Sequence, residues 1–121
     1  IPGSSRYFPG GLVVYANEAK SDFAGVDPEL VRQHGAVSEA VARALAAGVR
    51  ARFRTTLGVG ITGIAGPGGG SPEKPVGAVW IAVAGPGDRT ETLHFRWPGD
   101  RERVRALAAQ AALDRVRRQV A

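Results

Sequence analysis

The chain has 121 residues, of which 44% are hydrophobic, and this size fits one compact domain with a sizeable core. The absence of cysteine excludes disulfide bonds, a thiolate nucleophile and any cysteine-ligated metal. The net charge of +5 comes almost entirely from arginine, which permits nucleic-acid binding but equally fits the coding bias of a GC-rich genome. No apolar run approaches the ~20 residues needed to cross a bilayer, so we expect a soluble cytoplasmic protein.

The first half of the chain is predicted to contain a strand followed by two helices. Residues 11–15 form a short apolar, β-branched run, typical of a buried strand, with a polar exit that ends at Lys20. Asp27 and the proline after it predict a short helix that ends near His34. Ser38 is the predicted N-cap of a second helix, in which apolar residues recur at three- and four-residue steps.

The second half is predicted to contain three strands and a final helix. Residues 57–62 form a strand that leads into a glycine-rich loop, and residues 76–84 and 90–97 are predicted to pair as an antiparallel hairpin. Asp100 is the predicted N-cap of the last helix. Strands interleaved with helices predict an α/β fold of three layers, α/β/α, with a mixed β-sheet.

Ser5 and Lys20 are candidate catalytic residues. Serines that follow Pro-Gly are most often turn residues, and a lysine is by default a solvated cation. A desolvated, neutral lysine can nevertheless take the proton of a serine hydroxyl, which is a recognised variant of nucleophilic acyl transfer. Tyr15 is a candidate for orienting groups or relaying protons in the same network.

The segment from Thr62 to Gly70 is a candidate anion-binding loop. It lacks the Gly-Lys-Ser/Thr of a Walker loop, and no helical pattern follows it. Its glycines would let main-chain N–H groups approach an anion, and Thr62 offers a hydroxyl to a phosphate or a carboxamide. Arg101, in the first turn of the last helix, is a further candidate for binding an anion. An ordinary surface loop and a solvated arginine remain the alternatives.

Four separated motifs closely resemble the nicotinamide-nucleotide amidase family, also called the CinA C-terminal family. They are PGSSRYFPGGLVVYANEAK, GAVSEAVARALAAGVR, TGIAGPGGGSPEKPVGAVWIAV and the GDR before the last helix. The resemblance covers essentially the whole chain as a single domain, residues 1–121. Members of the family usually carry a preceding strand and helix with a Glu-Ser-Cys-Thr-Gly-Gly-like motif. These residues contain no match to that motif, and the expectation is that the strand–helix segment is lacking here.

The resemblance implies hydrolysis of nicotinamide mononucleotide to nicotinic acid mononucleotide and ammonia, a step of pyridine nucleotide salvage, with neither a metal nor an organic cofactor. It further implies Ser5 as nucleophile, with Ser4 as the alternative, and Lys20 as general base. Tyr15, Thr62 and Arg101 would position or stabilise the substrate. The predicted substrate-binding residues are Thr62, Gly63, Gly66, Gly68, Gly69 and Arg101.

Two other functions remain open at this stage. A catalytically silent nucleotide- or phosphate-binding domain would use the glycine-rich loop and Arg101 without turnover. A nucleic-acid-binding protein ranks last, because the arginines are spread over several helix faces. The predicted partner is the small nucleotide substrate. A homodimer is also predicted, from the resemblance and from an exposed apolar hairpin.

Overall fold

The computed structural model describes residues 1–120, which form a short 3-10 turn, four α-helices and three strands. The turn is Ser4–Arg6, and the helices are α1 (Asn17–Ala24), α2 (Pro28–His34), α3 (Glu39–Phe53) and α4 (Arg101–Val120). The strands are β1 (Gly58–Gly63), β2 (Ala78–Ala84) and β3 (Thr90–Arg96).

The predicted caps of three helices are confirmed. The Asp27 carboxylate accepts a hydrogen bond from the N–H of Glu29 at 2.9 Å, at the start of α2. The Ser38 hydroxyl accepts one from the N–H of Val41 at 3.3 Å, at the start of α3. The Asp100 carboxylate accepts one from the N–H of Arg103 at 2.9 Å, at the start of α4. Each cap satisfies an N–H group that has no partner within its own helix.

The sheet has the order β1-β2-β3, and both pairs of strands are antiparallel. The predicted hairpin of the last two strands is confirmed, with Ile81 of β2 opposite Leu93 of β3. The α/β class is likewise confirmed, but among residues 1–120 the sheet is antiparallel where a mixed sheet was predicted. A mixed sheet would need a parallel pair of strands, and the segment predicted as the first strand pairs with no other strand.

Helices cover both faces of β2 and so produce the predicted three layers. On one face, Ala82 and Ala84 pack against Ala42 and Ala46 of α3. On the other face, a larger apolar cluster joins the sheet to α4, and its buried members are Val79, Ile81, Val104, Ala108 and Ala112. The α3 backbone approaches the sheet closely because β1 has Gly60 at the crossing, where an added Cβ would clash with the Ala42 carbonyl oxygen.

Two predictions for the N-terminal part are wrong. Residues 11–15 form no strand: they are irregular, and Val13 is 85% exposed. An apolar run needs a neighbouring strand to satisfy its N–H and C=O groups, and this one has none among the described residues. Lys20 lies in α1 and not in a strand exit. This helix ends at Gly25, whose φ of 71° is a left-handed conformation that favours glycine.

Candidate functional site

A large open groove lies between the N-terminal segment, β1 and the C-terminal half of α4. Its volume is about 1510 Å³, and its lining runs from Arg6 to Tyr15, along the whole of β1, and over apolar side chains of α4 such as Leu113 and Val116. Among the described strands β1 pairs only with β2, so its other edge is free along this groove. Most of the lining is apolar, which makes the few polar side chains within it informative.

Lys20 and Thr62 are the only polar or charged residues that are buried among residues 1–120, and both line the groove. Lys20 is 7% exposed and Thr62 is 8% exposed. Buried polar groups require hydrogen-bond partners, and both side chains have them. The structure therefore brings two of the predicted site residues into one cavity.

The Lys20 side chain is held by main-chain carbonyl groups. Its Nζ donates to the carbonyl oxygens of Val14 and Tyr15, each at 2.9 Å. Burial lowers the pKa of Lys20 from its ordinary value of 10.5, because the charged form loses hydration. A neutral amine has two N–H bonds and one lone pair, so both carbonyls are satisfied while the lone pair stays free. In its neutral form, Lys20 would therefore have the free lone pair that a general base needs.

Tyr15 reaches Lys20 through its main chain. Its carbonyl oxygen accepts the hydrogen bond described above, while the residue as a whole is 77% exposed. Residues 11–15, which were predicted to form a strand, thus supply both hydrogen-bond acceptors of the Lys20 side chain. The contact between Tyr15 and Lys20 is present, but the proposed role of the phenol ring stays a prediction.

Thr62 lies in β1, where it is paired with Trp80 of β2. Its hydroxyl donates to the carbonyl oxygen of Ala36, in the connection between α2 and α3, at 2.7 Å. Lys74 supports the same connection, with its Nζ 2.6 Å from the carbonyl oxygen of His34. Lys74 is not among the site residues predicted from sequence, although it belongs to the Lys-Pro-Val-Gly of the third motif. Nothing in the local sequence signals so distant a contact.

Ser4 and Ser5 lie in the 3-10 turn at the start of the chain. Ser5 is exposed and Ser4 is partly buried, and the carbonyl oxygen of Ser4 accepts from the N–H groups of Tyr7 and Phe8 at 3.0 and 2.8 Å. Arg6, which follows Ser5, lines the groove. Both hydrogen bonds of the Lys20 side chain go to carbonyl groups and neither goes to a serine. The pairing of Ser5 with Lys20 stays a prediction.

The glycine-rich loop and Arg101 lie next to each other beyond the end of β1. The Nη1 of Arg101 donates to the carbonyl oxygen of Gly66 at 3.3 Å. Gly66 and Gly69 have φ angles of 86° and 88°, which only glycine adopts readily. Gly68 has open space where a Cβ would stand, and Gly63 borders the groove. The loop is therefore bound to the start of α4 and continues from the groove.

Residues 1–120 contain no group of three or more His, Asp or Glu side chains that could hold a metal ion. Over the same range, no helix has the length and apolar character required to cross a membrane.

Comparison with known proteins identifies close relatives of the chain. A sequence model described as the CinA C-terminal domain matches residues 1–120. The chain is 60% identical over 120 residues to a CinA-like protein of Acidobacterium capsulatum, covering 99% of this chain and 29% of that protein. It is 51% identical over 121 residues to a CinA-like protein of Mycolicibacterium paratuberculosis, covering 97% of this chain and 28% of that one. The chain thus spans less than a third of these curated relatives.

Solved structures agree with the sequence matches. A competence or damage-inducible protein from Enterobacter asburiae superimposes with a TM-score of 0.93 at 30% identity, over 100% of this chain and 76% of that chain. A competence/damage inducible protein from Agrobacterium tumefaciens superimposes with a TM-score of 0.85 at 39% identity, over 88% of this chain and 65% of that chain. The matched family, the relatives and the shared fold agree, and the chain belongs to the CinA C-terminal domain family.

Proposed function

We propose that this chain is the amidase part of a nicotinamide-nucleotide amidohydrolase. It would convert nicotinamide mononucleotide and water into nicotinic acid mononucleotide and ammonia through a Ser-Lys mechanism. The observation that carries the proposal is the burial of Lys20 in the groove, with two carbonyl groups as its hydrogen-bond acceptors. An ordinary surface lysine is exposed to water, whereas buried titratable groups with shifted pKa values are typical of functional sites.

The surroundings of Lys20 change its pKa in the direction that a base for serine requires. An ordinary lysine is protonated at neutral pH and cannot accept a proton, so a base must have a lowered pKa. Burial shifts the pKa of Lys20 in that direction. The two carbonyl acceptors fix the amine, so that its remaining lone pair has a defined direction.

The proposed reaction has two stages. The Ser5 hydroxyl attacks the carboxamide carbon while Lys20 takes its proton, and the tetrahedral intermediate collapses when that proton is passed to the departing nitrogen, which leaves as ammonia. Water then cleaves the acyl-enzyme and releases the carboxylate. Main-chain N–H groups of the glycine-rich loop would stabilise the oxyanion, and the loop together with Arg101 would bind the phosphate. Ser4 is the alternative nucleophile.

We also propose that the free edge of β1 pairs with a β-strand supplied from outside these residues. The groove exposes both this edge and segment 11–15, which is not paired with any described strand. An added strand would provide hydrogen-bond partners for the main-chain N–H and C=O groups of both. The family resemblance implies a strand and helix with a Glu-Ser-Cys-Thr-Gly-Gly-like motif, and such a strand would also enclose Lys20 further. Packing against it would give the 3-10 turn a surface on which Ser5 is directed toward Lys20.

The test is ammonia release from nicotinamide mononucleotide. The chain would be assayed beside Ser5→Ala and Lys20→Met variants that thermal unfolding shows to be folded, and beside a chain extended by the strand–helix sequence. Ammonia release that is lost in both variants supports the proposed amidase activity. If neither the chain nor the extended chain releases ammonia, the proposed reaction is wrong.

A binding domain without catalysis is the second candidate. It is favoured by one observation, that the Lys20 side chain hydrogen-bonds to carbonyl groups and not to Ser5. In this case calorimetry would detect binding of nicotinamide mononucleotide to both the chain and its extended form, Arg101→Ala would weaken that binding, and no ammonia would appear.

A further inference from the structure

The hydroxyl of Thr62 has a fixed polarity. A threonine hydroxyl carries one proton and two lone pairs. A carbonyl oxygen can only accept, so the proton of Thr62 must point to Ala36, 2.7 Å away. Toward a ligand in the groove, Thr62 therefore offers a lone pair and no donor. This excludes it as a donor to phosphate, one of the two ligands considered for it from sequence.

The surrounding contacts keep the hydroxyl proton of Thr62 directed at the carbonyl oxygen of Ala36. Thr62 is fixed in β1 by its pairing with Trp80. The connection that carries Ala36 is fixed by the Ser38 hydroxyl, which donates to the carbonyl oxygen of Gly35 at 2.8 Å, and by Lys74 on the carbonyl oxygen of His34. Rotating the Thr62 hydroxyl toward a ligand would leave the partly buried Ala36 carbonyl without this donor, which is unfavourable.

When Lys20 is neutral, it also offers a ligand a lone pair and no N–H bond. Both N–H bonds of the neutral amine are used by the carbonyls of Val14 and Tyr15. Its lone pair and the lone pair of Thr62 are then the two buried polar features that the groove offers a ligand. Two acceptors favour a ligand group that carries N–H bonds.

We infer that Thr62 makes the site selective for a carboxamide over the corresponding carboxylate. This inference rests on the proposed function and names the feature that separates substrate from product. The NH2 of the carboxamide donates to Thr62 Oγ1. The carboxylate formed by hydrolysis has only acceptor oxygens, which face the lone pair of Thr62 and are repelled. Thr62 thus recognises the group to be hydrolysed and promotes release of the product.

The experiment compares two ligands on variants that bind without turnover. Calorimetry on Ser5→Ala measures the affinities of nicotinamide mononucleotide and nicotinic acid mononucleotide, and the measurement is repeated with Thr62→Ser and Thr62→Val added. We expect the amide to bind about tenfold more tightly than the acid on Ser5→Ala, the effect of one net hydrogen bond. Thr62→Ser should keep this preference, whereas Thr62→Val should lose it. Thr62→Ala replaces the valine variant if that variant does not fold.

The outcomes separate the inference from the function on which it rests. Equal affinities on Ser5→Ala, or a preference that survives removal of the hydroxyl, overturn the role of Thr62 while ammonia release by the unmodified chain still supports the amidase. If neither ligand binds and no ammonia is released, the proposed function fails and the inference fails with it.

Discussion

The two sides of β1 differ in how completely they are packed. On one side β2 lies between α3 and α4, and Ile81 is fully buried there. On the other side lie the free edge of β1, the groove and an irregular segment in which Val13 is 85% exposed. The packed side gives the domain its stability, whereas the open side carries Lys20 and Thr62. Residues proposed to bind and react thus lie where packing is incomplete, and the following predictions test this division.

The largest expected effect is on activity, from Lys20→Met. Met keeps most of the apolar stem but supplies no base, so ammonia release should fall by roughly 10²–10⁴-fold, the usual contribution of general acid–base catalysis. The measurement is the initial rate with nicotinamide mononucleotide, using whichever form of the chain is active. Arg105→Met, on the exposed surface of α4, is the matched control, since Arg105 is not part of the groove lining. Equal losses in both variants would contradict a special role for Lys20.

The largest expected effect on stability is on the packed side, from Ile81→Ala. The change leaves a cavity among the residues between the sheet and α4, and should lower the free energy of unfolding by about 2–5 kcal/mol. Val13→Ala, on the open side, should change it by less than about 0.5 kcal/mol. Urea unfolding followed by circular dichroism measures both. If both variants lowered the free energy of unfolding by similar amounts, segment 11–15 would be packed as tightly as the core.

Gly60 and Gly68 differ in the space that surrounds them. At Gly60 an added Cβ would meet the Ala42 carbonyl oxygen, so Gly60→Ala should force α3 away from the sheet and cost about 1–3 kcal/mol. At Gly68 the corresponding space is open, and Gly68→Ala should have little effect on stability. Thermal unfolding of the two variants gives the test. A harmless Gly60→Ala would mean that α3 does not pack against β1 as described.

The smallest expected effect is a pH dependence of stability due to Lys20. Its pKa in the folded state is below the value of 10.5 in the unfolded chain, so between the two values the unfolded chain binds more protons. Stability should therefore rise with pH across that window and be insensitive to Lys20 below it. Urea unfolding at a series of pH values, for the chain and for Lys20→Met, isolates this contribution. A rise that persists unchanged in Lys20→Met would assign it to other groups.

Local sequence signals predicted most of the packed side. Asp27, Ser38 and Asp100 were identified as caps because a cap depends only on the next few residues. The hairpin of β2 and β3 was found because a turn between two apolar runs is likewise local. The sheet was predicted to be mixed, whereas both strand pairs within residues 1–120 are antiparallel. Strand partners are chosen by contacts far apart in sequence, which local signals do not specify.

The open side was harder to predict because its features depend on distant partners. The run at residues 11–15 has the composition of a strand, but a strand forms only beside another strand. Lys20 was recognised as a candidate base, yet neither its position in α1 nor its carbonyl acceptors followed from the sequence. The bond from Thr62 to Ala36 spans 26 positions, and no local pattern signals it. Sequence therefore identified candidate residue types, while the fold determined which atoms they contact.

The central claim, that burial in the groove lowers the pKa of Lys20, is tested most directly by nuclear magnetic resonance. In a chain with ¹³C-labelled lysines, the Cε signal of Lys20 can be assigned by its loss in Lys20→Met and followed as the pH is raised. We predict that it titrates below 10.5, the ordinary value. Titration at or above that value would show that the groove does not favour the neutral amine, and would remove Lys20 as the base of the proposed reaction.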